Sequence, residues 1–345
     1  MQITSGNIPK NIKNITLGNR KVGEGEPAFI IAEIANAHEG NFDTAIRMID
    51  ALSGSGVDAI KFQLHIPEAE MLPSHPKFNT TKQRSFSIAQ LAKLKDYTES
   101  KGFYFLCTPF SREAVDALDA LGVEAFKVGS GEVSDPAFVE YVARKKKTII
   151  LSSGMSTLEE IAEAKNIAAR HNAPCAVLHC VWENPVRYEH INLAVIPKLR
   201  ELFQVPIGLS DHTPEIFSAI AAVPYGVAII EKHYTLDRNQ QGTSDHKVSL
   251  EPGEFKVLVD AVRKIEKACG SEKQIWKEEE SVAEWARHAV VSVRDIAEGE
   301  IITAEAISTK RPLYDGIPAN EMAQVIGKKA NCAIPKDSLI KKEHI

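Results

Sequence analysis

The sequence of 345 residues predicts an α/β protein whose main part is a TIM (β/α)8 barrel and whose C-terminal part is a small separate domain. Three observations lead to this prediction. Eight short apolar runs alternate with segments of helical periodicity, and eight parallel βα units are the number that closes such a barrel. No GxGxxG turn follows the first run, so the alternative, an open nucleotide-binding sheet, lacks its main signature. After residue 288 the pattern changes to short β-like runs separated by polar turns.

Each predicted strand is a short apolar run bounded by turn residues, as expected for a strand that is buried on both faces. The segments between the strands carry helix boundaries. Thr157 and Glu160 form a capping box, Asp135 precedes a proline, and Gly102 and Gly122 follow their helices directly. The strands are predicted at residues 29–32, 59–62, 104–107, 125–128, 148–151, 176–179, 206–209 and 228–232.

The chain is predicted to have four parts. Residues 1–28 are rich in Asn and Gly and resemble a hairpin that caps the bottom of the barrel, and residues 29–270 form the barrel itself. Residues 271–285 are polar and charged, as expected for a linker, and residues 286–345 form the small C-terminal domain. The barrel is the part in which a catalytic site is expected, because that fold places functional residues at the ends of its strands.

Composition limits the possible functions. A net charge of -5, without a long basic stripe, argues against binding to nucleic acid or to a membrane surface. No run reaches the roughly 18 apolar residues of a membrane helix, and the N-terminal residues lack the apolar centre of a signal peptide, so we expect a cytoplasmic protein. The five cysteines are scattered and include no CxxC pair, which fits reduced thiols and gives no indication of a zinc or redox site.

Polar residues follow every predicted strand. The strands of a TIM barrel end together at one face, and that face carries the chemistry. Polar side chains that converge on one mouth from every strand therefore predict an active site. In chain order these residues are Glu33, Asn36 and His38; Lys61 and Gln63; Thr108; Lys127, Ser130 and Glu132; Ser152, Ser153 and Gly154; His179 and Asn184; Ser210, Asp211 and His212; and Glu231, Lys232 and His233.

Two lysines, Lys61 and Lys127, lie inside apolar runs. An unpaired charge is costly to bury, so each lysine needs an anionic partner. That partner is either an anionic substrate or an internal carboxylate, for which Glu33 and Glu231 are the candidates. The sequence leaves both possibilities open.

Two segments, 127–132 and 152–154, combine glycine with serine hydroxyls. Backbone N–H groups and hydroxyls in such turns are suited to holding a phosphate group. Taken singly, either segment predicts only a tight turn. Together with the two buried lysines, they favour a small phosphorylated or carboxylated substrate.

Two histidines, His212 and His233, end consecutive strands, so a barrel places their imidazoles side by side. A single histidine at a strand end is usually a hydrogen-bonded core residue. Two neighbouring imidazoles, with Asp211 and the pair Asp245 and His246 nearby, instead predict a site for a first-row divalent metal.

These residues belong to a set of motifs that extends over nearly the whole chain. In the barrel the motifs are AEI at 32–34, HEG at 38–40, IKFQ at 60–63, TPF at 108–110, KVGSGE at 127–132, LSSGMS at 151–156, GLSDHT at 208–213, EKHYTLD at 231–237 and SDH at 244–246. The set resembles that of the sialic acid synthase family, which comprises N-acetylneuraminate synthases and their legionaminic and pseudaminic acid synthase relatives. The tail, with KRP at 310–312 and IGK at 326–328, is similar to the antifreeze-like (SAF) domain of that family.

The resemblance implies a condensation of phosphoenolpyruvate with an N-acylated amino sugar, N-acetylmannosamine in its open-chain aldehyde form. C3 of phosphoenolpyruvate would attack the aldehyde, water would add at C2, and phosphate would leave through C–O cleavage. His212 and His233 would hold Mn²⁺ or Mg²⁺, which would act as a Lewis acid on the aldehyde.

The resemblance also implies roles for other residues of the barrel. Glu132 would handle the proton of the attacking water, and Glu33 is the second catalytic candidate. The residues that would bind phosphoenolpyruvate are Lys61, Thr108, Lys127, Ser130, Ser153, Asn184 and Ser210.

On the sugar side the resemblance implies a domain-swapped homodimer, because Arg311 in the family reaches from the small domain of one subunit to the N-acyl group in the other. The sequence departs from the family pattern at two places. Asn36 is displaced by one position, and a bulkier loop at 313–316 follows Arg311 and Pro312. The sugar-binding residues would be Gln63, Tyr188, Asp245 and Arg311.

Other interpretations remain open. Within the same reaction class, the acceptor is a 2,4-diacetamido-6-deoxy sugar, as in legionaminic or pseudaminic acid synthases, or a phosphorylated sugar, which gives a 9-phosphate product. A different class is a Schiff-base aldolase, in which Lys127 or Lys61 attacks a pyruvate carbonyl and borohydride traps the adduct. A non-catalytic sugar-binding or ice-binding protein is suggested only by the small domain, and the complete set of polar strand ends argues against it.

Overall fold

The structure is a computed structural model, and it describes residues 12–183, 185–312 and 316–345. The chain divides into two compact units, Met1–Gly270 and Ser271–Ile345. None of the helices within the described ranges is long and apolar enough to cross a membrane.

The first unit is a nearly closed barrel of eight parallel strands. The strands pair in the order β5-β4-β3-β10-β9-β8-β7-β6, and β5 and β6, the two ends of this order, lie beside each other. The strands of this unit are β1 (Ile15–Leu17), β2 (Arg20–Val22), β3 (Phe29–Glu33), β4 (Ala59–Leu64), β5 (Tyr104–Pro109), β6 (Ala125–Val128), β7 (Thr148–Ser152), β8 (Cys175–Cys180), β9 (Ile207–Asp211) and β10 (Ile229–His233).

Helices connect successive barrel strands and cover the outside of the sheet. A large apolar core fills the space between the two layers. The helices are α1 (Phe42–Ala51), α2 (Pro67–Glu70), α3 (Phe78–Arg84), α4 (Ile88–Ser100), α5 (Arg112–Ala120), α6 (Pro136–Ala143), α7 (Leu158–Arg170), α8 (Tyr188–Ile191), α9 (Val195–Phe203), α10 (Phe217–Ala222) and α11 (Pro252–Ala268), with 3-10 turns at Val223–Tyr225 and Ser244–Val248.

All eight predicted barrel strands are present, which confirms the TIM barrel and excludes the open doubly wound sheet. The bounds of seven strands differ from the prediction by one or two residues, mostly at the C-terminal ends, and those of β6 agree with it. The reason is chemical: Glu33, Asp211 and His233 end their strands and continue the sheet ladder, although each is polar and therefore lies outside the apolar run.

The predicted helix boundaries are present as well. Thr157 and Glu160 form the capping box that begins α7, and the Asp135 side chain accepts hydrogen bonds from the first turn of α6. Gly102 and Gly122 adopt φ values of 86° and 76°. Those left-handed conformations suit glycine and end the preceding helices.

Strands β1 and β2 form an antiparallel hairpin within the segment predicted as an N-terminal cap. The side chains of Ile15, Leu17 and Val22 are buried in one apolar cluster with the inward-facing residues of the barrel, among them Phe29 and Ile31. The interior of such a barrel is filled with side chains, so these three residues form part of its packed core.

The second unit contains a two-stranded antiparallel sheet around its own apolar core. The segment predicted as a linker, residues 271–285, contains most of a helix that the sequence analysis did not identify. The elements are α12 (Lys277–Ala286), β11 (Ala289–Ser292), β12 (Ile307–Lys310) and α13 (Met322–Val325), with 3-10 turns at Ala304–Ala306, Ala319–Glu321 and Lys342–His344.

Leu17 provides a test of the hairpin's contribution to the barrel. Its side chain is only 1% exposed, so Leu17→Ala leaves a cavity and should lower the free energy of unfolding by about 2–4 kcal/mol. Thr16→Ala, on the exposed face of the same strand, should change it by less than about 0.5 kcal/mol. Urea unfolding followed by circular dichroism measures both values, and equal effects of the two substitutions would contradict the packing role.

Candidate active site

A cavity of about 510 Å³ opens at the C-terminal ends of the barrel strands, and we call it the mouth cavity. Its position agrees with the site expected for this fold. Most of the sequence-predicted site residues line it: Glu33, Lys61, Gln63, Thr108, Lys127, Ser130, Glu132, Ser210, His212, His233 and Asp245.

One predicted phosphoenolpyruvate ligand, Ser153, is not among the residues that line the mouth cavity. Its hydroxyl accepts a hydrogen bond from the backbone N–H of Cys180 at 3.2 Å. Ser152, the last residue of β7, lines the cavity instead. The side chains of consecutive strand residues point to opposite sides, so a shift of one position exchanges a site residue for a structural one.

Three further predicted residues lie away from the cavity or outside the described ranges. Tyr188 is exposed at the start of α8 and donates a hydrogen bond to Glu215 at 2.8 Å, without lining the cavity. Arg311 belongs to the second unit, where its guanidinium lies 5.4 Å from the centre of the Trp285 ring. Asn184 lies outside the described residues, as does most of the loop 313–316.

Four charged side chains are buried together in the centre of the barrel. Glu231 bridges the two lysines, with Lys127 Nζ 2.9 Å from Oε1 and Lys61 Nζ 3.1 Å from Oε2. Lys61 Nζ also lies 3.3 Å from Glu33 Oε2. Both internal carboxylates that the sequence analysis named as candidate partners are therefore present. Glu231 contacts both lysines, and Glu33 contacts Lys61.

The electrostatics of this cluster differ from one residue to the next. Burial alone would raise the pKa of Glu231, but the ammonium groups of Lys127 and Lys61 outweigh it and hold that pKa well below its usual range. Burial raises the pKa of Glu33, although Lys61 opposes the shift. Glu33 Oε2 also lacks a hydrogen-bond partner among the described residues. Glu231 remains ionised between the two lysines, and their ammonium groups keep hydrogen-bonding capacity for an incoming anion beyond their contacts with it.

Hydroxyl groups surround the lysines on the cavity side. Ser130 Oγ lies 3.0 Å from Ser152 Oγ, Ser210 Oγ donates to Glu231 Oε1 at 2.9 Å, and Thr108 Oγ1 lies 3.5 Å from Lys61 Nζ. Hydroxyls next to ammonium groups form a suitable surface for phosphate and carboxylate oxygens. The arrangement supports the anion-binding role predicted from the glycine and serine segments.

Glu132 lies on the cavity wall in a less polar environment. Burial raises the pKa of its carboxyl to about 7, and Oε2 is buried without a hydrogen-bond partner among the described residues. A carboxyl whose pKa lies near neutral pH exchanges protons readily in either direction, which is the property that general acid–base catalysis requires.

His212 and His233 face each other across the ends of β9 and β10, with ring centroids 4.9 Å apart. Burial, assisted by His212, lowers the pKa of His233 to about 3, and its buried Nδ1 has no partner among the described residues. Burial alone would lower the pKa of His212, but the contact of its Nδ1 with Cys180 Sγ, at 3.7 Å, outweighs burial and raises that pKa. An imidazole nitrogen without a protein partner, such as His233 Nδ1, fits a first-row divalent metal. Within the described residues no group of three or more His, Cys, Asp or Glu side chains is arranged around a common point, so the chain would supply two ligands.

A second buried ion pair fixes the strands that carry these histidines. Asp211 and Lys232 directly precede His212 and His233, and Lys232 Nζ lies 2.9 Å from Asp211 Oδ2. Asp211 also accepts hydrogen bonds from Thr213 and Ser218. The pair is almost fully buried and joins neighbouring strands, so it constrains the relative positions of the two imidazoles.

Lys232→Met should therefore destabilise the barrel strongly. The substitution leaves Asp211 buried without its cation, which costs about 3–5 kcal/mol of unfolding free energy. The double variant Asp211→Asn/Lys232→Met removes both charges and should recover at least half of that loss. Chemical denaturation of the three proteins measures the effects, and equal instability of the single and double variants would contradict a buried charge penalty.

Glu132→Gln should alter the pH dependence of stability. In the folded protein the carboxyl holds its proton up to about pH 7, whereas an unfolded glutamate loses it near the ordinary pKa of 4.5. The wild type therefore loses stability as pH rises through this window, and the glutamine variant does not. Between pH 5 and pH 8 the variant should gain about 2 kcal/mol relative to wild type.

Denaturation at both pH values measures this gain, and exposed Glu124→Gln serves as the matched control. The control should show no change in relative stability between pH 5 and pH 8. A Glu132→Gln profile parallel to that of wild type would contradict the buried, proton-holding carboxyl.

Comparison with known proteins gives matches along most of the chain. The NeuB family model matches residues 48–274, and the SAF domain model matches residues 287–345. The chain is 36% identical to the N,N'-diacetyllegionaminic acid synthase of Campylobacter jejuni, over 90% of this chain and 98% of that protein. It is 34% identical to the human N-acetylneuraminate-9-phosphate synthase, over 94% of each.

A solved structure gives the same result. The N-acetylneuraminic acid (sialic acid) synthetase of Leptospira borgpetersenii, determined in complex with citrate, superposes with a TM-score of 0.74 at 35% identity and covers 79% of this chain and 96% of its own. The small second unit is accordingly a SAF domain. The chain belongs to the NeuB family and is a phosphoenolpyruvate-dependent nonulosonic (sialic) acid synthase.

Proposed function

We propose that this protein is an N-acetylneuraminate synthase, which condenses phosphoenolpyruvate with open-chain N-acetylmannosamine and water to give N-acetylneuraminate and phosphate. The observation that carries the proposal is the mouth cavity itself. It combines two buried lysines with hydroxyls, a carboxyl that titrates near neutral pH, and a pair of imidazoles.

Phosphoenolpyruvate binds at the lysine end of the cavity. Its phosphate and carboxylate are both anionic, and Lys61 and Lys127 each keep hydrogen-bonding capacity beyond their contacts with Glu231. Burial lowers the pKa of Lys127 even though Glu231 opposes the shift, so an added anion next to this lysine stabilises its charged form. The remaining ligands in this proposal are Thr108, Ser130, Ser152 and Ser210, with Asn184 retained from the sequence analysis.

The sugar binds on the opposite side of the cavity. Asp245 accepts a hydrogen bond from the backbone N–H of Asn36 at 3.3 Å, and both residues line the cavity beside Gln63. Carboxylate and amide groups of this kind orient sugar hydroxyls. In this proposal Tyr188 and Arg311 also contact the sugar, Arg311 from a second subunit of a domain-swapped homodimer, and the enzyme acts in the cytoplasm.

The metal site of this proposal is formed by His212 and His233, which would hold Mn²⁺ or Mg²⁺. A divalent ion bound there supplies Lewis acidity toward the aldehyde oxygen of the sugar. The unpartnered Nδ1 and the low pKa of His233 support this assignment, because a metal ligand must be unprotonated.

Glu132 moves the proton in the hydration step. Water adds at C2 of the condensed substrate, Glu132 accepts a proton from that water, and the C2–O bond breaks to release inorganic phosphate. A carboxyl with a pKa of about 7 is suited to this exchange. Glu33, whose pKa burial also raises, is the second candidate and faces the same cavity.

A 2,4-diacetamido-6-deoxy sugar is a second candidate acceptor. The residues that line the cavity include the apolar side chains of Met71, Phe110, Met155 and Trp182, and Met155 and Trp182 are more than half exposed. Such a surface suits a methyl group at C6 and an additional acetamido methyl better than it suits hydroxyls. This observation favours a legionaminic or pseudaminic type of acceptor.

The test is phosphate release from phosphoenolpyruvate with Mn²⁺, measured in parallel with N-acetylmannosamine, its 6-phosphate and the 2,4-diacetamido-6-deoxy sugars. We expect release with N-acetylmannosamine and a product with the mass of N-acetylneuraminate. Release with only another sugar, together with a product of the corresponding mass, would identify that sugar as the acceptor instead of N-acetylmannosamine. Absence of release with every sugar would overturn the proposal.

Glu132→Gln tests the proton-transfer assignment in the same assay. We expect kcat to fall by about 10²–10⁴-fold, the usual contribution of a general acid–base group. Binding of phosphoenolpyruvate, followed by calorimetry, should change by less than about threefold because the lysines remain. Unchanged turnover in this variant would show that another group handles the proton.

A further inference from the structure

His65 lies directly beyond the end of β4, and its side chain lines the mouth cavity, although the sequence analysis gave it no role. It follows Lys61 and Gln63 at intervals of two residues, the period at which strand side chains share one face. The imidazole lies flat against the Phe110 ring, with centroids 4.2 Å apart and an angle of 7° between the planes. The ring is therefore held in one plane.

Both ring nitrogens of His65 are occupied by protein groups. Nδ1 lies 2.8 Å from Glu70 Oε1, and Nε2 lies 3.1 Å from Gln63 Oε1. Glu70 comes from α2, and its side chain is only 5% exposed. Because neither nitrogen is free, His65 cannot exchange a proton with a substrate unless one of these bonds breaks. The geometry indicates a residue that acts through its neighbours.

The direction of each hydrogen bond follows from Gln63. Its Nε2 donates to Glu33 Oε1 at 2.7 Å, which leaves its Oε1 facing His65. With Glu33 as a carboxylate, the opposite amide orientation would place two acceptor oxygens, Gln63 Oε1 and Glu33 Oε1, against each other. Nε2 of His65 must therefore carry a hydrogen in order to donate to Gln63.

The bond to Glu70 then determines how many protons the pair holds. A carboxylate accepts only, so either His65 Nδ1 carries a second hydrogen or Glu70 carries one and donates it. The pair holds two protons in both cases and is neutral overall. With one proton fewer, one of the two bonds would join two acceptors and break.

We propose that His65, held by Glu70, is a positioning residue that fixes the amide of Gln63 and, through it, the carboxylate of Glu33. In this arrangement one N–H of Gln63 binds Glu33 and the other is presented to the acceptor sugar in a fixed direction. The inference rests on the proposed function, in which Gln63 faces the sugar. Because phosphoenolpyruvate binds at the lysine end of the cavity in that proposal, substitution of His65 or Glu70 should not change its binding.

Four variants test this inference in the phosphate-release assay. His65→Ala and Glu70→Ala should each raise KM for the acceptor about 10- to 100-fold, the effect of losing a charge-assisted hydrogen bond, and should leave KM for phosphoenolpyruvate within about threefold. Glu70→Gln should restore the acceptor KM to within about threefold of wild type, because a carboxamide N–H can donate to Nδ1 of neutral His65. His75→Ala, at an exposed histidine in the same connection, is the matched control and should be unchanged.

A double-mutant cycle separates positioning from simple loss of structure. If His65 acts through Gln63, the variant Gln63→Ala/His65→Ala should have the same acceptor KM as Gln63→Ala, since the second substitution has nothing left to position. Fully additive effects, a parallel rise of both KM values, or a Glu70→Gln variant as impaired as Glu70→Ala would each overturn the inference.

Nitrogen-15 spectra of the histidine side chains test the proton assignment without any assay of activity. The His65 signal, identified by its loss in His65→Ala, should show a protonated Nε2 in the ligand-free enzyme. An unprotonated Nε2 would overturn the positioning role even if the synthase assay succeeds. Absence of phosphate release by wild type with every sugar would instead reject the proposed function and leave the proton assignment intact.

Discussion

The structure of the active site depends on one interaction, the contact of Glu231 with Lys61 and Lys127. Two ammonium groups in the middle of a barrel cannot be buried without a counter-charge, because the cost of removing a charge from water is several kcal/mol. Glu231 lies between them, 2.9 Å from one and 3.1 Å from the other, and lets the barrel fold with both lysines inside. Lys61 also contacts Glu33, and Lys127 keeps hydrogen-bonding capacity beyond its contact with Glu231, so the site can still bind a small anion after folding. The stability of the fold and, in the proposed function, the binding of phosphoenolpyruvate therefore rely on the same residues.

The two glutamates Glu231 and Glu132 show how position alone divides similar groups between different tasks. Glu231 is next to two cations, and its pKa lies below the usual range, so it remains a carboxylate. Glu132 is buried with little compensation, and its pKa rises to about 7, so it can exchange a proton. When their surroundings give two groups of the same type different pKa values, one can have a structural role and the other an acid–base role. The sequence analysis placed both glutamates at strand ends. Only the charges around each side chain in the structure distinguish their roles.

Prediction from the sequence succeeded for features that depend on the regular alternation of apolar runs with helical segments. The eight strands, the cavity at their C-terminal ends and the adjacent placement of His212 and His233 all follow from counting apolar runs. Features that one position or a distant contact decides were not predicted. Ser153, predicted as a ligand, does not line the cavity, whereas its neighbour Ser152 does. His65 was not identified because its partners, Glu70 in α2 and Phe110 after β5, are brought to it only in the folded chain.

In the proposed function the acceptor is harder to infer than the phosphoenolpyruvate site, because the residues assigned to the two come from different kinds of structural element. Lys61, Lys127 and Ser210 belong to barrel strands, whose positions are fixed by the hydrogen-bonded ladder and leave little freedom. Met71, Met155 and Trp182 come from three loops beyond strand ends, and loops vary in length and sequence without disturbing the barrel. Relatives whose names specify different sugars can therefore share this fold and differ in these loops. On physical grounds, the residues that select the sugar should be sought among the loops of the mouth cavity, and those that perform the shared chemistry among its strands.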